Sequence, residues 1–441
     1  MHVERQDKDE KGDPLATQKI RLYPDPPQKR VLNRWFAAFR WTYNQCVADP
    51  CGCNLAALRK KYVNEDSLQK NFPGEAKWVL TVPQCVRYEA VRDFLQAHSD
   101  HRAKQRAQRK RGEKVQTKFE LKFKSVRRDP QQTVPVSARQ WKTKRATKSK
   151  WGAEEFSVSK VFGHTRMRCE RSYTFPRSLP HDSSLSRTRT GKYYLCVPRP
   201  LKRMAPPSHV PASREHAVVA IDPGVRTFGT SYDARGQVHE FGKGAAYHLI
   251  KTTVLRVDKL KSKMDRMEKE GKLNHRKRYR MRLALLRKQE RARNKVKEFH
   301  RKYAKWLCDN YSVILLPKFE TQEMVQKITL RKRGPGGSLV EVERQIGSKT
   351  ARAMCTMSHF GFRQHLLQKA RAYDNCNVII CNEAYTSKTC GRCGGLNSNL
   401  GSSKHFRCSF CPYEADRDAN GARNIMVKYL AGKKAAAGRG I

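Results

Sequence analysis

Residues 381–424 read CNEAYTSKTCGRCGGLNSNLGSSKHFRCSFCPYEADRDANGARN, and this stretch decides the fold of the carboxy-terminal half. It contains two Cys-x-x-Cys pairs with fourteen residues between them. Two such pairs can supply the four thiolates that Zn²⁺ prefers in tetrahedral structural sites. We therefore predict a zinc ribbon whose ligands are Cys390, Cys393, Cys408 and Cys411, and the alternative is four buried thiols without a ligand.

Carboxylates stand on both sides of this predicted ribbon. Glu383 follows an apolar segment at 376–381, and Asp416 and Asp418 stand where a helix is predicted to begin. Because Asp416 and Asp418 are two residues apart, their side chains diverge by roughly 200° on a helix, and only one can face a common site. The other is then a helix cap or a solvated charge.

A further carboxylate follows a strand earlier in the chain. Residues 216–221 form a short apolar segment, and Asp222 comes directly after it in an Asp-Pro-Gly sequence. A carboxylate at the end of a buried strand is a candidate metal ligand, and a hairpin turn is the alternative. Another apolar strand, at 311–316, runs instead into Pro317, with Glu320 three residues further on. Three carboxylates that converge can hold two Mg²⁺ ions about 3.5–4 Å apart and hydrolyse a phosphodiester.

The composition indicates a nucleic-acid partner. The chain has 441 residues, and its 92 Lys and Arg residues outnumber its 40 Asp and Glu residues, which leaves a formal net charge of +52. Such a charge repels itself unless a polyanion neutralises it, and binding to phosphates releases counterions. We expect no membrane partner, because no apolar run is long enough to span a bilayer. The 14 cysteines favour a reducing compartment over a secreted disulfide scaffold.

The first half of the chain divides into helical and strand-like segments. The predicted order is a polar tail at 1–16, a strand at 17–23, an amphipathic helix at 28–48, a second helical region at 83–114, and a small antiparallel sheet or barrel at 118–197. The second helical region ends in a segment with Arg and Lys on nearly every face, which favours contact with phosphates over simple solvation.

The second half alternates between apolar strands and basic helices. We predict two antiparallel helices at 251–309 with a break at 271–274, a surface loop at 330–347, one helix at 348–373, a helix at 418–430 and a tail at 431–441.

Three motifs in this half resemble the RuvC-like nuclease of the transposon-encoded TnpB proteins and of their eukaryotic and viral relatives, the Fanzors. The motifs are IDPGVR at 221–226, YTSKTCGRC at 385–393 and DRDANGARN at 416–424, and the resemblance covers most of residues 215–430. RLYP at 21–24 and FELKF at 119–123 resemble the amino-terminal lobe of the same family more loosely.

The resemblance implies a multidomain α+β chain. Its amino-terminal lobe would combine a helical recognition region with a small β-barrel, and its carboxy-terminal lobe would be an RNase H-like (RuvC-like) α/β nuclease with an inserted zinc ribbon. The implied divisions are a disordered tail at 1–16, a wedge-like β-barrel domain at 17–25 and 118–197, a helical recognition domain at 26–117, a linker at 198–214, the nuclease at 215–388 and 412–430, the ribbon at 389–411 and a tail at 431–441.

The resemblance also implies metal-dependent cutting of double-stranded DNA beside a short adjacent motif, with a guide RNA transcribed together with the mobile element. The expected assembly is a monomeric ribonucleoprotein in the nucleus. Asp222, Glu383 and Asp418 are the implied ligands of two Mg²⁺ ions. In most relatives the second nuclease strand ends in a catalytic glutamate, whereas Pro317 stands there in this chain; Glu383 is the substitute we favour and Glu320 is its rival.

Two other functions fit the same features. A nuclease-inactive protein could bind guide RNA and DNA without cutting, since Pro317 cannot bind a metal. Alternatively, a zinc-ribbon DNA-binding protein or transposase could act without RNA. The absence of a discrete co-purifying RNA would favour the latter.

Overall fold

The computed structural model describes residues 15–49, 54–110, 112, 121–126, 132–136, 138, 155–156, 167–170, 181–201, 204, 217–325, 329–333, 339–343, 346–397 and 403–437. The chain forms two compact units, Met1–Leu201 and Lys202–Ile441. Their boundary falls inside the predicted linker at 198–214, while the other domain limits stay predictions.

The first unit combines five helices with an antiparallel sheet. Its helices are α1 (Pro26–Ala48), α2 (Leu55–Tyr62), α3 (Glu65–Asn71), α4 (Pro73–Val79) and α5 (Gln84–Lys110). Its strands are β1 (Leu15–Tyr23), β2 (Gln132–Val136), β3 (Glu155–Phe156), β4 (Met167–Cys169), β5 (Ser183–Arg187) and β6 (Tyr193–Pro200). They pair in the order β2-β5-β6-β1-β4-β3, and closure of this sheet into the predicted barrel stays a prediction.

Helix α1 confirms the amphipathic helix expected from its apolar periodicity. Asp25 caps it: the Gln28 N–H donates to the Asp25 carboxylate over 2.7 Å, and the Asp25 N–H donates back to the Gln28 side chain over 3.0 Å. Trp35 and Phe36 are buried on its inner face, where they belong to one hydrophobic core with Leu195 of β6. The helices and the sheet of this unit are therefore packed around the same core.

Several predictions for the first unit need correction. Strand β1 begins at Leu15, so it takes the last two residues of the predicted tail, and 1–14 lie outside the described residues. Helices α2 to α4 were not predicted, because they are too short for a clear 3.6-residue period. The antiparallel sheet predicted at 118–197 contributes β2 to β6, but 121–126 form no strand.

The second unit is built on a five-stranded sheet. The sheet strands are β7 (Val218–Pro223), β8 (Gly229–Asp233), β9 (Val238–Phe241), β10 (Val313–Pro317) and β13 (Asn377–Cys381). Their order is β13-β10-β7-β8-β9. The strands β7, β10 and β13 run parallel, whereas β8 and β9 follow β7 as antiparallel hairpins. Two small hairpins complete the strands: β11 (Thr329–Arg333) with β12 (Leu339–Glu343), and β14 (His405–Arg407) with β15 (Glu414–Asp416).

Helices surround this sheet. They are α6 (Ala245–Leu249), a π-helical turn (Ile250–Val254), α7 (Leu255–Lys269), α8 (His275–Asn310), α9 (Thr321–Val325), α10 (Ser348–Met357), α11 (His359–Ala370) and α12 (Arg417–Ala437). Helix α12 lies against β7 and β8, and its Ile425 and Met426 share a core with Ala220 and Leu315 of the sheet. Among the described residues, no helix is long and apolar enough to cross a membrane.

The predicted break at 271–274 is confirmed, since α7 ends before it and α8 begins after it. Three other predictions are wrong. The segment 330–347 contains the β11–β12 hairpin instead of a plain loop, and 348–373 holds two helices instead of one. Their junction is Ser358, whose φ of 50° is left-handed and interrupts the helix. Helix α12 continues to Ala437, beyond the predicted end at 430.

Candidate functional site

The ends of the three parallel strands meet at one edge of the sheet. Pro317 of β10 pairs with Cys381 of β13, and the register between β7 and β10, continued to the strand ends, brings Asp222 level with Pro317. Glu383 lies two residues beyond Cys381, the last residue of β13, and its charge raises the pKa of Asp222. Pro317 at the end of the central strand β10 therefore lies between Asp222 on β7 and the end of β13, after which Glu383 follows.

Helix α12 brings Asp418 to the same edge. A Cβ atom added at Gly421 would lie 2.5 Å from an Asp222 carboxylate oxygen, Oδ2. Gly421 comes three residues after Asp418, and residues with this spacing lie on one face of a helix. The absence of a side chain at Gly421 thus allows the end of β7 to approach the helix face that carries Asp418.

The three carboxylates at this edge have raised pKa values. Burial raises the pKa of Asp222 well above its ordinary value, and the charges of Asp418 and Glu383 raise it further, against an opposing effect of Arg417. Burial also raises the pKa of Asp418. A half-buried group of negative charges is costly unless a cation neutralises it. Carboxylate oxygens are donors of the type that Mg²⁺ binds, although among the described residues only the four cysteines bring three or more potential ligand atoms within 4.8 Å of one another.

Glu383 and Glu320 both lie near this edge, but in different surroundings. Glu383 is half-buried and its pKa is raised by burial and by the charge of Glu320, whereas hydrogen bonding from the Phe319 backbone lowers it. Glu320 is exposed, and it is not among the carboxylates that raise the pKa of Asp222. This arrangement favours Glu383 over Glu320 as a ligand beside Asp222, and the assignment stays a prediction.

Asp416 caps helix α12. One of its carboxylate oxygens, Oδ1, accepts from the N–H groups of Asp418 and Ala419 over 2.9 and 3.2 Å, and the other oxygen, Oδ2, lies 3.6 Å from the Lys404 ammonium. The sequence predicted that the aspartate facing away from the common site would be either a helix cap or a solvated charge, and Asp416 is a cap. With its oxygens engaged in this way, Asp416 is the less favourable of the two aspartates as a metal ligand, and the assignment of Asp418 stays a prediction.

The turn after Asp222 packs against the rings of Phe228 and His359, which the sequence analysis did not identify. His359 stacks on Phe228 with a centroid distance of 4.3 Å, and its ring hydrogen-bonds to the backbone of Gly224. Burial lowers the pKa of His359 to about 3, so the imidazole is neutral at physiological pH. It supports the Asp222 turn without adding charge beside the carboxylates.

The four cysteines of the predicted ribbon converge. The sulfur atoms of Cys390 and Cys411 are 3.7 Å apart, those of Cys393 and Cys408 are 3.6 Å apart, and all four lie within 4.8 Å of one another. Four sulfurs at the usual Zn–S distance of about 2.3 Å would be about 3.8 Å apart at the corners of a tetrahedron. The cluster therefore fits Zn²⁺.

The segments 390–393 and 408–411, the first and second knuckles, each have a backbone hydrogen bond to their first sulfur. The Arg392 N–H donates to the Cys390 sulfur over 3.4 Å, and the Phe410 N–H donates to the Cys408 sulfur over 3.3 Å. The second of these bonds is the main cause that lowers the pKa of Cys408 to about 7. The two cysteine pairs thus have the same hydrogen bond from the N–H two residues after the first cysteine, and their spacing is that of structural zinc sites.

Helix α8 presents a strongly basic surface. It carries fourteen Lys and Arg residues against three acidic residues. Many of the basic side chains in its first half are exposed, among them Arg276, Lys277 and Arg280. A long helix with clustered Lys and Arg is of the type that binds nucleic-acid phosphates.

Comparison with known proteins shows relatives over almost the whole chain. The chain is 28% identical over 441 residues to A625R, a transposase-like protein of Paramecium bursaria Chlorella virus 1, with 94% of this chain and 87% of the relative covered. It is 23% identical to the TnpB-like protein L79 of Acanthamoeba polyphaga mimivirus, with 93% and 73% covered. Over 85 residues, 19% of each chain, it is 35% identical to the CRISPR-associated endodeoxyribonuclease Cas12f1 of Sulfoacidibacillus thermotolerans.

Two family models match parts of the chain. Residues 359–425, which include α11, β13 and the cysteine cluster, match the model of the Cas12f1-like TNB domain. Residues 15–49 match a model described as a helix-turn-helix domain, and in this chain they form β1 and α1. The first match covers two of the three motifs, those at 385–393 and 416–424.

Proposed function

We propose, from the premise that this chain is a TnpB-like protein, that it is an RNA-guided DNA endonuclease of a mobile element, of the Fanzor branch. The observation that carries the proposal is the meeting of Asp222 and helix α12 at Gly421, where Asp418 and Glu383 raise the pKa of Asp222. Carboxylates from distant parts of the chain thus share one edge of the sheet.

The sheet supports a nuclease core of the RNase H-like (RuvC-like) type. Its first three strands form consecutive antiparallel hairpins, β10 pairs in parallel with the first of them, and β13 pairs in parallel with β10. This order places the carboxyl ends of β7, β10 and β13 at one edge, where α12 crosses. The resemblance of the motifs at 221–226, 385–393 and 416–424 to RuvC-like nucleases is consistent with this topology.

Asp222, Glu383 and Asp418 would hold two Mg²⁺ ions. When bound, such ions activate a water molecule and stabilise the leaving oxygen of a phosphodiester. The residues of the chain itself hold the carboxylates in place: Asp416 caps the helix of Asp418, and Gly421 leaves room for Asp222. The cysteine cluster would hold one structural Zn²⁺.

Nucleic acid would bind through the basic surface. Phosphates of guide RNA and target DNA would neutralise helices such as α8, and base pairing with the guide would select the target sequence. The names of two relatives, a TnpB-like protein and a CRISPR-associated endodeoxyribonuclease, support this partner class. We further propose that the active form is a monomeric ribonucleoprotein located in the nucleus.

The proposal is tested on the purified ribonucleoprotein. The RNA that co-purifies is sequenced, and the complex is assayed on a DNA that matches the guide region beside a library of adjacent sequences. We expect Mg²⁺-dependent cutting that EDTA stops and that Asp222→Ala abolishes while guide binding is retained. Purified protein without a discrete RNA would favour the RNA-independent DNA-binding function and contradict our proposal.

A matched pair of variants identifies the third carboxylate. We expect Glu383→Gln to abolish cutting and Glu320→Gln to retain it, because Glu383 contributes to the charge beside Asp222 and Glu320 does not. The opposite result would assign the role to Glu320. Because Pro317 supplies no ligand, nuclease inactivity is the second candidate function, and guided DNA binding without any Mg²⁺-dependent cutting would establish it.

A further inference from the structure

Asn420 and Asn424 of helix α12 form hydrogen bonds with the backbone around Cys390. The Asn420 side chain accepts from the Gly391 N–H over 2.9 Å and donates to the Thr389 carbonyl over 2.8 Å. Thr389 and Gly391 are the neighbours of Cys390. A single side chain thus holds the backbone before and after the first cysteine of the cluster.

Asn424 repeats this contact one turn later. Its amide donates to the carbonyl of Thr389 over 2.7 Å and to that of Thr386 over 2.9 Å. Both asparagines are buried, with exposed fractions of 1% for Asn420 and 7% for Asn424. Buried amides with several partners fix the relative position of the segments that they join.

The approach of the ribbon to the helix is close enough to need a glycine. A Cβ atom at Gly391 would lie 2.7 Å from the Asn420 oxygen and 2.5 Å from an Arg423 guanidinium nitrogen. The backbone of the first knuckle therefore lies directly on α12. A displacement of the knuckle has to move these helix residues or break their hydrogen bonds.

Two faces of α12 contact the two candidate metal sites, one face each. Gly421 faces Asp222 together with Asp418, which lies three residues before it. Asn420 lies two residues from Asp418, which rotates its side chain by roughly 200° on the helix, toward the cysteine cluster. The same helical turn therefore contacts the knuckle of Cys390 on one side and the carboxylate edge on the other.

We infer that Asn420 and Asn424 are positioning residues that couple the four-cysteine site to the carboxylate site through helix α12. The inference rests on the proposed function, since it assigns a divalent-cation site to Asp222, Glu383 and Asp418. An ordered Cys390 knuckle fixes the position of α12 through the two amides, and this sets the position of Asp418 relative to Asp222. Loss of the amides lowers the affinity of the carboxylates for cations while all carboxylates remain present.

The test measures Mn²⁺ binding, which needs no catalysis. Full-length parent protein and the variants Asn420→Ala, Asn424→Ala and Val427→Ala are titrated with Mn²⁺ in the absence of nucleic acid, and free Mn²⁺ is followed by electron paramagnetic resonance. Val427 lies on the same helix with 50% of its surface exposed, so its truncation is the matched control. Zinc content is measured in parallel, and Asp222→Asn identifies the Mn²⁺ signal that belongs to the carboxylate site.

We expect Asn420→Ala to weaken Asp222-dependent Mn²⁺ binding about tenfold, the lower range for loss of an outer-shell partner. Zinc stays at the parent stoichiometry, and Val427→Ala leaves both metals unchanged. Asn424→Ala keeps the contacts of Asn420 and provides the test if Asn420→Ala does not fold. In the cleavage assay, the Mg²⁺ concentration for half-maximal rate rises by a similar factor, while guide binding is unchanged.

Unchanged Mn²⁺ affinity in both asparagine variants would overturn the coupling, even if their thermal stability fell, and so would a parent protein without Asp222-dependent Mn²⁺ binding. Failure of the proposed function is a separate result. If the parent protein binds Mn²⁺ through Asp222 and the asparagine variants weaken it, the coupling stands even where no DNA is cut.

Discussion

At the scale of single residues, the candidate site depends on small differences in what stands beside Asp222. The carboxylate lies at the end of β7, and the space that it occupies exists because residue 421 has no side chain. Asp416 is engaged as a helix cap, and we propose Asp418, two residues on, as the metal ligand. Two identical side chains two residues apart would thus have different roles.

Replacement of Gly421 by Ala should therefore impair cutting selectively. The added methyl would lie 2.5 Å from an Asp222 oxygen, so the carboxylate or the helix must shift. A displacement of about 1 Å in a catalytic arrangement can cost about 100-fold in rate, and we expect a loss of this order in single-turnover cleavage.

Gly432→Ala on the same helix is the control for this prediction. Nothing lies within 4 Å of a Cβ atom at Gly432, so the change should stabilise the helix by about 0.5–1 kcal/mol and leave cutting unchanged. Equal rates for the two variants would show that Asp222 and α12 do not need their close approach.

At the scale of elements, the predicted ribbon and α12 are joined both by the chain and by hydrogen bonds. The second knuckle extends from the β14–β15 hairpin, where the Cys408 N–H donates to the Tyr413 carbonyl over 3.0 Å, and α12 starts directly after β15. The first knuckle is held by the asparagines of the same helix. Order in the ribbon therefore contributes directly to the position of the helix.

Exchange of Cys408 for Ser should remove the zinc and destabilise the second unit. Metal binding at a four-cysteine site contributes folding free energy, and values of about 10–16 kcal/mol are typical of small zinc modules. We expect a lower unfolding temperature together with zinc loss, measured by thermal unfolding and elemental analysis. Cys355→Ser, at an exposed cysteine outside the cluster, should change neither quantity. Full zinc occupancy in Cys408→Ser would refute the assignment of this ligand.

At the scale of the whole molecule, the net positive charge is the property that most strongly affects which partners bind. A formal net charge of +52 on 441 residues opposes compaction of the free chain and favours binding to a polyanion. The charge is uneven among the elements, since α8 is strongly basic whereas α3 has two acidic residues and one basic residue, and α4 has one of each. Contacts with phosphate should follow this distribution.

The salt dependence of RNA binding tests this distribution. Each phosphate contact on a single strand contributes about 0.7 to the slope of log K against log salt. Replacement of Arg276 and Lys277 on α8 by Gln should lower the slope by about 1.4, measured by fluorescence anisotropy with a labelled single-stranded RNA. Replacement of Lys70 and Lys77 on α3 and α4 should leave it unchanged. Equal slopes for the two double variants would exclude α8 as a phosphate-binding helix.

The sequence by itself determined the features that depend on neighbouring residues. The spacing of the cysteine pairs predicted that the four cysteines converge. The apolar runs predicted the strands that contain Asp222 and Pro317 near their ends. The charge ratio pointed to nucleic acid. These signals are local because a knuckle, a buried strand and a helix each follow from a few consecutive side chains.

Only the tertiary structure decided how these pieces meet. Three contacts join residues that are far apart in the chain. The strand register brings Asp222 beside Pro317, Gly421 leaves room for Asp222, and Asn420 accepts a hydrogen bond from Gly391 next to Cys390. The left-handed break at Ser358 is also invisible in the helical periodicity on both sides of it. Strand register and helix packing are selected by the free energy of the whole core, which no short stretch of sequence contains.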